Sequence, residues 1–260
     1  MPKRGISYIS RRAVQSFTHF TNGPSLLRGM ARGGEMTFHT RTGLTLHTPN
    51  VPGARFPVYE VNADDVYRLD EVLEGLDHPT VVDIGAHIGS FTAAVATKRP
   101  GANVHAYEAS PSTAVWLERN VAANDLGQRV SVHRCAVADH SGTLEIVDNG
   151  EASAHNGLTA PEDSGSIVSV PCVTWADVVD RAGGSVDVVK LDAEGVEYGI
   201  ILDSDPATWS TVQRIVMEYH PVSGRSLGQL VDHLEPLGLS LARDEPADRP
   251  GLGNAWFVRR

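Results

Sequence analysis

The stretch "VVDIGAHIGSFT", Val81–Thr92, decides the fold. An apolar run carries a carboxylate, Asp83, and ends in two glycines four residues apart, Gly85 and Gly89. Glycine lets a turn pass close to a ligand, and a helix that starts there exposes backbone N–H groups. Such a nest holds a carboxylate as readily as a phosphate. Alone, Gly-x-x-x-Gly is a weak signal, because many helix–helix contacts share it. Its meaning depends on what the rest of the chain places around it.

Downstream, short apolar runs alternate with helical segments. "TVVDIG", "NVHAYE", "VSVHRCAVA", "DVVKLD" and "RIVMEYH" read as five strands. "SFTAAVATKRPG" reads as a helix stopped by Pro100-Gly101, and Ser110-Pro111 as an N-cap with proline at the first helical position of another. "SLGQLVDHLEPLG" is a further helix, and "LSLAR" and "AWFVRR" are the last two strands. Short apolar strands separated by helices imply a parallel sheet covered on both faces. Only "DEPADRPGLGN" joins the last two strands, too short for a crossover, so that pair is antiparallel. The expected fold is α/β, a doubly wound, mostly parallel sheet closed by a C-terminal antiparallel hairpin, as in class I methyltransferases. Residues 141–171 form an insertion whose flanks, "GTLEIV" and "SIVSVPCV", suggest a β-hairpin extending the sheet edge around a polar loop.

Residues 1–78 read as an accessory layer or lid before a main domain at 79–260. "EMTFHTRTGLTLHT" alternates around a Thr-Gly turn and predicts a β-hairpin. Residues 49–57, with Pro49, Pro52 and Pro57, predict a connector. "ADDVYRLDEVLEGL" predicts a helix, with Val66, Leu69, Val72, Leu73 and Leu76 at helical spacing.

Composition narrows the partners. The chain has 260 residues and a net charge of −10. Residues 1–34 hold Lys3, Arg4, Arg11, Arg12, Arg28 and Arg32 and no acid, so the remainder carries −16. An acidic body repels phosphate backbones, which argues against nucleic acid as the main partner. The Arg/Ser-rich start has the composition of a transit peptide; a surface helix or lid packed on the acidic body is the reading adopted. No apolar run approaches the length of a membrane span. Cys135 and Cys172 are far apart without metal-ligand spacing and read as buried, reduced thiols, so a cytoplasmic protein is expected. The basic start also offers a route onto a neighbour's acidic surface in a homo-oligomer.

Ligands of open α/β sheets bind outside the carboxyl ends of the strands. There this chain places Asp83, Gly85, Ala86, His87, Gly89 and Ser90 from the first strand and turn, and Glu108 from the second. The third strand places Cys135 and Ala136, the fourth Asp192 and Glu194, the fifth Glu218 and His220. Glu108 follows Gly89 by 19 residues, close to the spacing of a ribose-binding acid. Asp83 can receive turn amides or an ammonium group. Together these demands describe S-adenosylmethionine, with its amino-acid head at the turn, ribose at Glu108 and adenine against the third strand. A nicotinamide oxidoreductase is the competing reading, but it requires Gly-x-Gly-x-x-Gly, and His87 stands where a glycine is needed. A catalytically silent cofactor-binding protein is the third.

"VVDIGAHIGSFT", "AYEASP", "VVKLDAEGVE" and "RIVMEYHP", in this order and spacing, resemble FkbM-family methyltransferases. The "HNGL" loop before "VPCVTWADVV" fits the same pattern. The resemblance runs from about Val81 to Pro221. It implies S-adenosylmethionine-dependent O-methylation of a small molecule, often a polyketide or sugar. It places Asp83, Gly85 and Gly89 at the methionine part, Glu108 at the ribose, and the backbone around Ala136 at the adenine. His87 departs from it, since the family usually has Asn there; a side chain at this position caps the turn or reaches the cofactor.

Methyl transfer to a neutral alcohol needs alignment and a proton acceptor. His220, Glu218 and Glu194 are the foremost candidates, with Glu197 and His155 behind them. Glu197 reads more simply as a helix-start acid, His155 as a loop residue, and Lys190 as a strand residue paired with a carboxylate. Glu218 and His220, two apart on one strand face, form with Asp192 either a general-base cluster or a divalent-metal site, the metal being the less favoured. Trp116, Trp175 and Trp209 read either as core or groove aromatics or as platforms for a sugar.

Overall fold

Residues along the central strands alternate between two apolar layers, and that alternation positions every group of the site. The structure, a computed structural model, describes residues 3–150 and 166–260, with side chains from residue 10 onward. Helices α1 (Lys3–Thr18) and α2 (Gly23–Met30) lead to the hairpin β1 (Glu35–His39) and β2 (Thr45–Pro49). Helix α3 (Pro52–Tyr59) runs straight into a π-helical turn at Glu60–Asp64, and the single turn α4 (Leu69–Val72) follows. Then come β3 (Thr80–Ile84), α5 (Ser90–Lys98), β4 (Asn103–Tyr107), α6 (Pro111–Ala123), β5 (Val130–His133), β6 (Ala136–Ala138) and β7 (Gly142–Asp148). The chain continues through β8 (Ser166–Thr174), α7 (Trp175–Arg181), β9 (Val188–Leu191), α8 (Glu197–Leu202) and β10 (Arg214–Tyr219). It closes with α9 (Leu227–Leu234), β11 (Leu239–Pro246) and β12 (Gly253–Arg259).

Seven strands form one sheet in the order β11-β12-β10-β9-β3-β4-β5. The five from β5 to β10 in that order run parallel, and β12 is antiparallel to both β10 and β11. This is the mostly parallel sheet with a C-terminal antiparallel pair that the sequence implies. Val81, Val188 and Val216 face one apolar layer, against α5, α6 and the N-terminal elements. Val82, Val189 and Met217 face the other, against α7, α8 and α9. Phe20, Phe38 and Tyr59 of the N-terminal segment sit in the same core as Val81 and Val216, so residues 1–78 and the main sheet share one buried interior. Among the described residues, no helix is long and apolar enough to cross a membrane.

Four local expectations are corrected. The connector at 49–57 is largely helix: Pro52 fits the first turn, where its missing N–H costs nothing. Pro57 lies inside that helix, and three residues later the coil widens into the π-turn. The helix expected from Ala63 shrinks to α4, because Asp65 (φ 49°) and Arg68 (φ 52°) adopt left-handed backbone. Its apolar spacing still reports burial, since Leu69, Val72 and Leu73 are core residues. "VSVHRCAVA" is two strands, not one: the chain breaks at Arg134, whose guanidinium grips Glu118 of α6 at 2.7 and 2.5 Å. The insertion does contain an antiparallel pair, β7 with β8, but β8 also pairs in parallel with β6. The result is a separate three-stranded sheet, not an added edge.

The turn after β3 explains its own sequence. Gly85 (φ 73°) packs so closely on β9 that a Cβ would overlap the carbonyl oxygen of Asp192. At Gly89 (φ 84°) a Cβ would come within 2.6 Å of Leu117 Cδ1. His87 is also left-handed, at φ 53°. Asn, Asp and His are the side chains that tolerate this region best, so histidine fits this turn without a glycine. His87→Asn is therefore expected to leave stability unchanged, whereas the β-branched His87→Val loses about 1–2 kcal/mol in urea unfolding.

Candidate active site

The turn is braced from within. The amides of Gly85 and Ala86 both donate to the Tyr107 carbonyl, at 3.0 and 2.9 Å, and that of Gly89 donates to the Ala86 carbonyl. The His87 amide donates to Glu108 Oε2 at 2.8 Å, and the Ser110 amide to Oε1 at 2.9 Å. The sequence suggests amides open to a ligand; they are spent on β4 and on Glu108 instead. Glu108, at the end of β4, thus holds the turn and still faces the cavity. Burial pushes its carboxyl up to about 7, against the two amides that favour the ionised form.

A cavity of about 490 Å³ opens over this sheet edge, within the range of small-molecule sites. Gly85, Ala86, His87, Ser90, Glu108, Ala136 and Asp192 line it. Asp83 and Gly89, also candidates for the cofactor, do not. Asp83 shares the face of Val81, so it points at α5 and not outward: its Oδ2 accepts the Thr92 hydroxyl at 2.6 Å. Its Oδ1 lies 3.3 Å from Lys190 Nζ, its register partner on β9. Beside Ala136, the three-stranded sheet supplies an apolar wall through Val137, Leu144 and Ile146.

Carboxyl groups crowd the opposite end. Asp192, Glu194, Glu218 and His220 all line the cavity, as expected. Donor atoms of Asp192, Glu218 and His220 lie within 4.8 Å of one another. His220 Nδ1 bonds the fully buried Glu197 at 2.9 Å, and Nε2 lies 3.6 Å from Glu194. Glu197 does start α8, but its carboxylate also accepts the amides of Ala193 and Gly195, which fixes the turn after β9. Burial opposes charge on His220; the bond to Glu197 and the surrounding carboxylates outweigh it and raise the imidazole to about 9. Burial and then Asp192 push Glu218 up to about 7. For Asp192, burial is outweighed by Lys190 and His220, which hold it below its ordinary value.

Two further groups come from the N-terminal segment. Tyr67 donates its hydroxyl to Asp192 at 3.1 Å, and Glu60 lines the cavity from the π-turn. Burial, then the charges of Glu218 and Asp192, push Glu60 up to about 8. Lys190, expected merely as a paired strand residue, bonds the Gly85 carbonyl at 2.6 Å and lies 3.5 Å from Asp192. No motif flags Glu60 or Tyr67; the two prolines and the acidic run around them are the only local signals. Trp175 and Trp209 are buried and stacked at 4.4 Å, hence core and not platforms, while Trp116 packs against the core's edge. Cys135 and Cys172 are buried free thiols. His155 and the "HNGL" loop lie outside the described residues.

This strand order, with a glycine turn, a strand-end acid and a cavity at the carboxyl edge, defines a class I, Rossmann-like methyltransferase. Its sheet is shared with solved structures: the MTase domain of METTL16 superposes with a TM-score of 0.53 at 13% identity, covering 84% of this chain and 74% of that one. The model of the methyltransferase FkbM domain matches residues 83–239, and the chain belongs to that family. The 31-O-demethyl-FK506 methyltransferase FkbM of Streptomyces tacrolimicus is 26% identical over 239 residues, covering 80% of this chain and 90% of the relative. Methyltransferase sdnD of Sordaria araneosa is 27% identical over 237 residues, with the same coverage. The protein is an S-adenosylmethionine-dependent methyltransferase. The cavity fits that cofactor in size and lining: Gly85, Ala86, His87 and Ser90 face it from the turn, and a two-oxygen acid, Glu108, stands at the end of β4.

Glu108→Gln is expected to weaken S-adenosylhomocysteine binding about 10- to 100-fold by calorimetry, with the unfolding transition retained. The shifted groups also set a pH dependence. Glu60, Glu108, Glu218 and His220 all have folded-state values above their ordinary ones. The folded state therefore holds the extra protons, and the stability they confer is lost as pH rises through the folded values. The melting temperature of the cofactor-free protein is expected to fall between about pH 6 and pH 9; a flat or rising profile contradicts this.

Proposed function

We propose that this protein transfers a methyl group to a hydroxyl oxygen of a small molecule, a natural-product or sugar-containing intermediate. The observation that carries the reading is the carboxyl cluster across the cavity from Glu108, with Glu218 poised near neutrality. A proton acceptor works best when its pKa lies near the operating pH. The name of the Streptomyces relative, which places its methyl on an oxygen, supports the same chemistry.

Bound S-adenosylmethionine supplies an activated methyl on a positively charged sulfur. Gly85, Ala86, His87 and Ser90 would hold its amino-acid part, Glu108 its ribose and the wall around Ala136 its adenine. Glu218 takes the acceptor's hydroxyl proton. His220, held by Glu197 and protonated at neutral pH, balances the charge of Asp192 and Glu194 and orients the cluster; it is not the base. Asp192, Glu218 and His220 are also the residues a divalent ion would use. Lys190 and the imidazolium already supply positive charge there, so this mechanism is metal-free.

Incubation with S-adenosylmethionine and a panel of hydroxylated natural products and glycosides should give a product heavier by one methylene, with the new methyl on oxygen by NMR. Glu218→Gln should lower turnover about 10²- to 10⁴-fold while leaving S-adenosylhomocysteine affinity unchanged. A methyl on nitrogen or carbon overturns the reading, and loss of activity on chelation overturns its metal-free form.

A further inference from the structure

Leu144, Ile146 and Asp148 alternate along β7 and so share one face of that strand. Leu144 and Ile146 line the cavity, so an acid stands at the end of an apolar wall. Its carboxylate reaches out of the small sheet to the start of α6. Oδ2 accepts the Ser110 hydroxyl at 3.0 Å and the Ser112 amide at 3.4 Å. Oδ1 accepts the Ser112 hydroxyl at 2.7 Å and the Gly150 amide at 2.8 Å. Burial opposes the charge on Asp148, but these bonds outweigh it and hold the carboxyl below its ordinary value. At the other end of β7, the Ser141 hydroxyl donates to Asp177 of α7 at 2.7 Å.

Ser110 is the junction. Its hydroxyl has one proton to give. With that proton on Asp148, the oxygen accepts the Thr113 amide at 3.2 Å and caps α6. The Ser110 amide donates to Glu108 Oε1 at 2.9 Å, and Oε2 of the same carboxylate accepts the His87 amide at 2.8 Å. A continuous chain of hydrogen bonds, Asp148–Ser110–Glu108–His87, therefore joins the small sheet, the cap of α6, the end of β4 and the glycine turn. A helix cap needs only the serine. Adding a partly buried carboxylate costs desolvation, which capping alone does not require.

We propose that Asp148 is a positioning residue for the cofactor, acting through Ser110 on Glu108. It sets the acid that would hold the ribose at a fixed distance from the apolar wall that would hold the adenine. This role rests on the proposed placement of the nucleoside between Glu108 and the small sheet. Base and sugar of one ligand would then be met by two separate sheets, and the tie through Asp148 keeps their spacing before the ligand arrives. A spacing set in advance leaves less order to impose on binding.

The test is a double-mutant cycle on the full chain, read by S-adenosylhomocysteine calorimetry. Asp148→Asn keeps the shape of the side chain, removes its charge, and should weaken binding about 10-fold. In the Glu108→Gln background the same substitution should cost less than about twofold, because the residue it acts through is already gone. A purely structural role would instead give affinity losses that multiply, or a lower unfolding midpoint with no loss of affinity. Should Asp148→Asn fail to fold, Ser112→Ala takes its place in the cycle, since it removes a single hydroxyl from the carboxylate and should weaken binding about threefold. Unchanged affinity in Glu108→Gln overturns the placement of the ribose, and the role of Asp148 with it. Full affinity in Asp148→Asn, or a loss undiminished in the Glu108→Gln background, overturns the role of Asp148 alone.

Discussion

Everything at the carboxyl edge depends on one buried ammonium. Lys190 Nζ bonds the Gly85 carbonyl, lies 3.3 Å from Asp83 and 3.5 Å from Asp192, and sits over the Tyr67 ring. Burial works against its charge, yet Asp83 and Asp192 raise its pKa above the ordinary lysine value. That single group ties β3 to β9, pins the glycine turn, and ballasts the carboxylates that follow. A buried charge persists only when paired and hydrogen-bonded. Here the pairing meets the charge of Asp83, which the alternation along β3 turns inward.

From that anchor the site divides in two. On one side a self-braced turn, Glu108 and the apolar wall of the small sheet form the part of the cavity proposed for the cofactor. On the other, the ends of β9 and β10 meet the N-terminal segment in a group of acids with little room to ionise together. The division follows from the sheet's two-residue alternation: Lys190, Glu218 and His220 fall on the face that Glu60 and Tyr67 cover. Fold and chemistry are therefore set by the same parity.

Much of this is legible in residues 80–260. The apolar strands carry clear stops, such as Pro100-Gly101 and Ser110-Pro111, and the final pair has to be antiparallel because so few residues join it. The acids at 108, 192, 194 and 218 and the histidine at 220 stand out because strand ends are where ligands bind. Errors arise where local signals compete with tertiary ones. Pro52 and Pro57 suggest an irregular connector, but one fits a helix start and the other is absorbed by a helix that widens. The run from Val130 to Ala138 reads as one strand because nothing local announces the break after His133, beyond which β6 leaves the main sheet to pair with β8. Glu60 and Tyr67 are invisible because their meaning lies in what they meet some 125 to 160 residues away, and periodicity carries no such information.

The inward bracing of the glycine turn bears on how a nucleoside is captured. Because its amides already have partners in Tyr107, Ala86 and Glu108, the main chain need not refold when the pocket fills. Little configurational freedom is left to surrender there, so more of the contact energy survives as affinity. The guest meets a finished socket, and any rearrangement on capture falls to side chains and not to the loop itself.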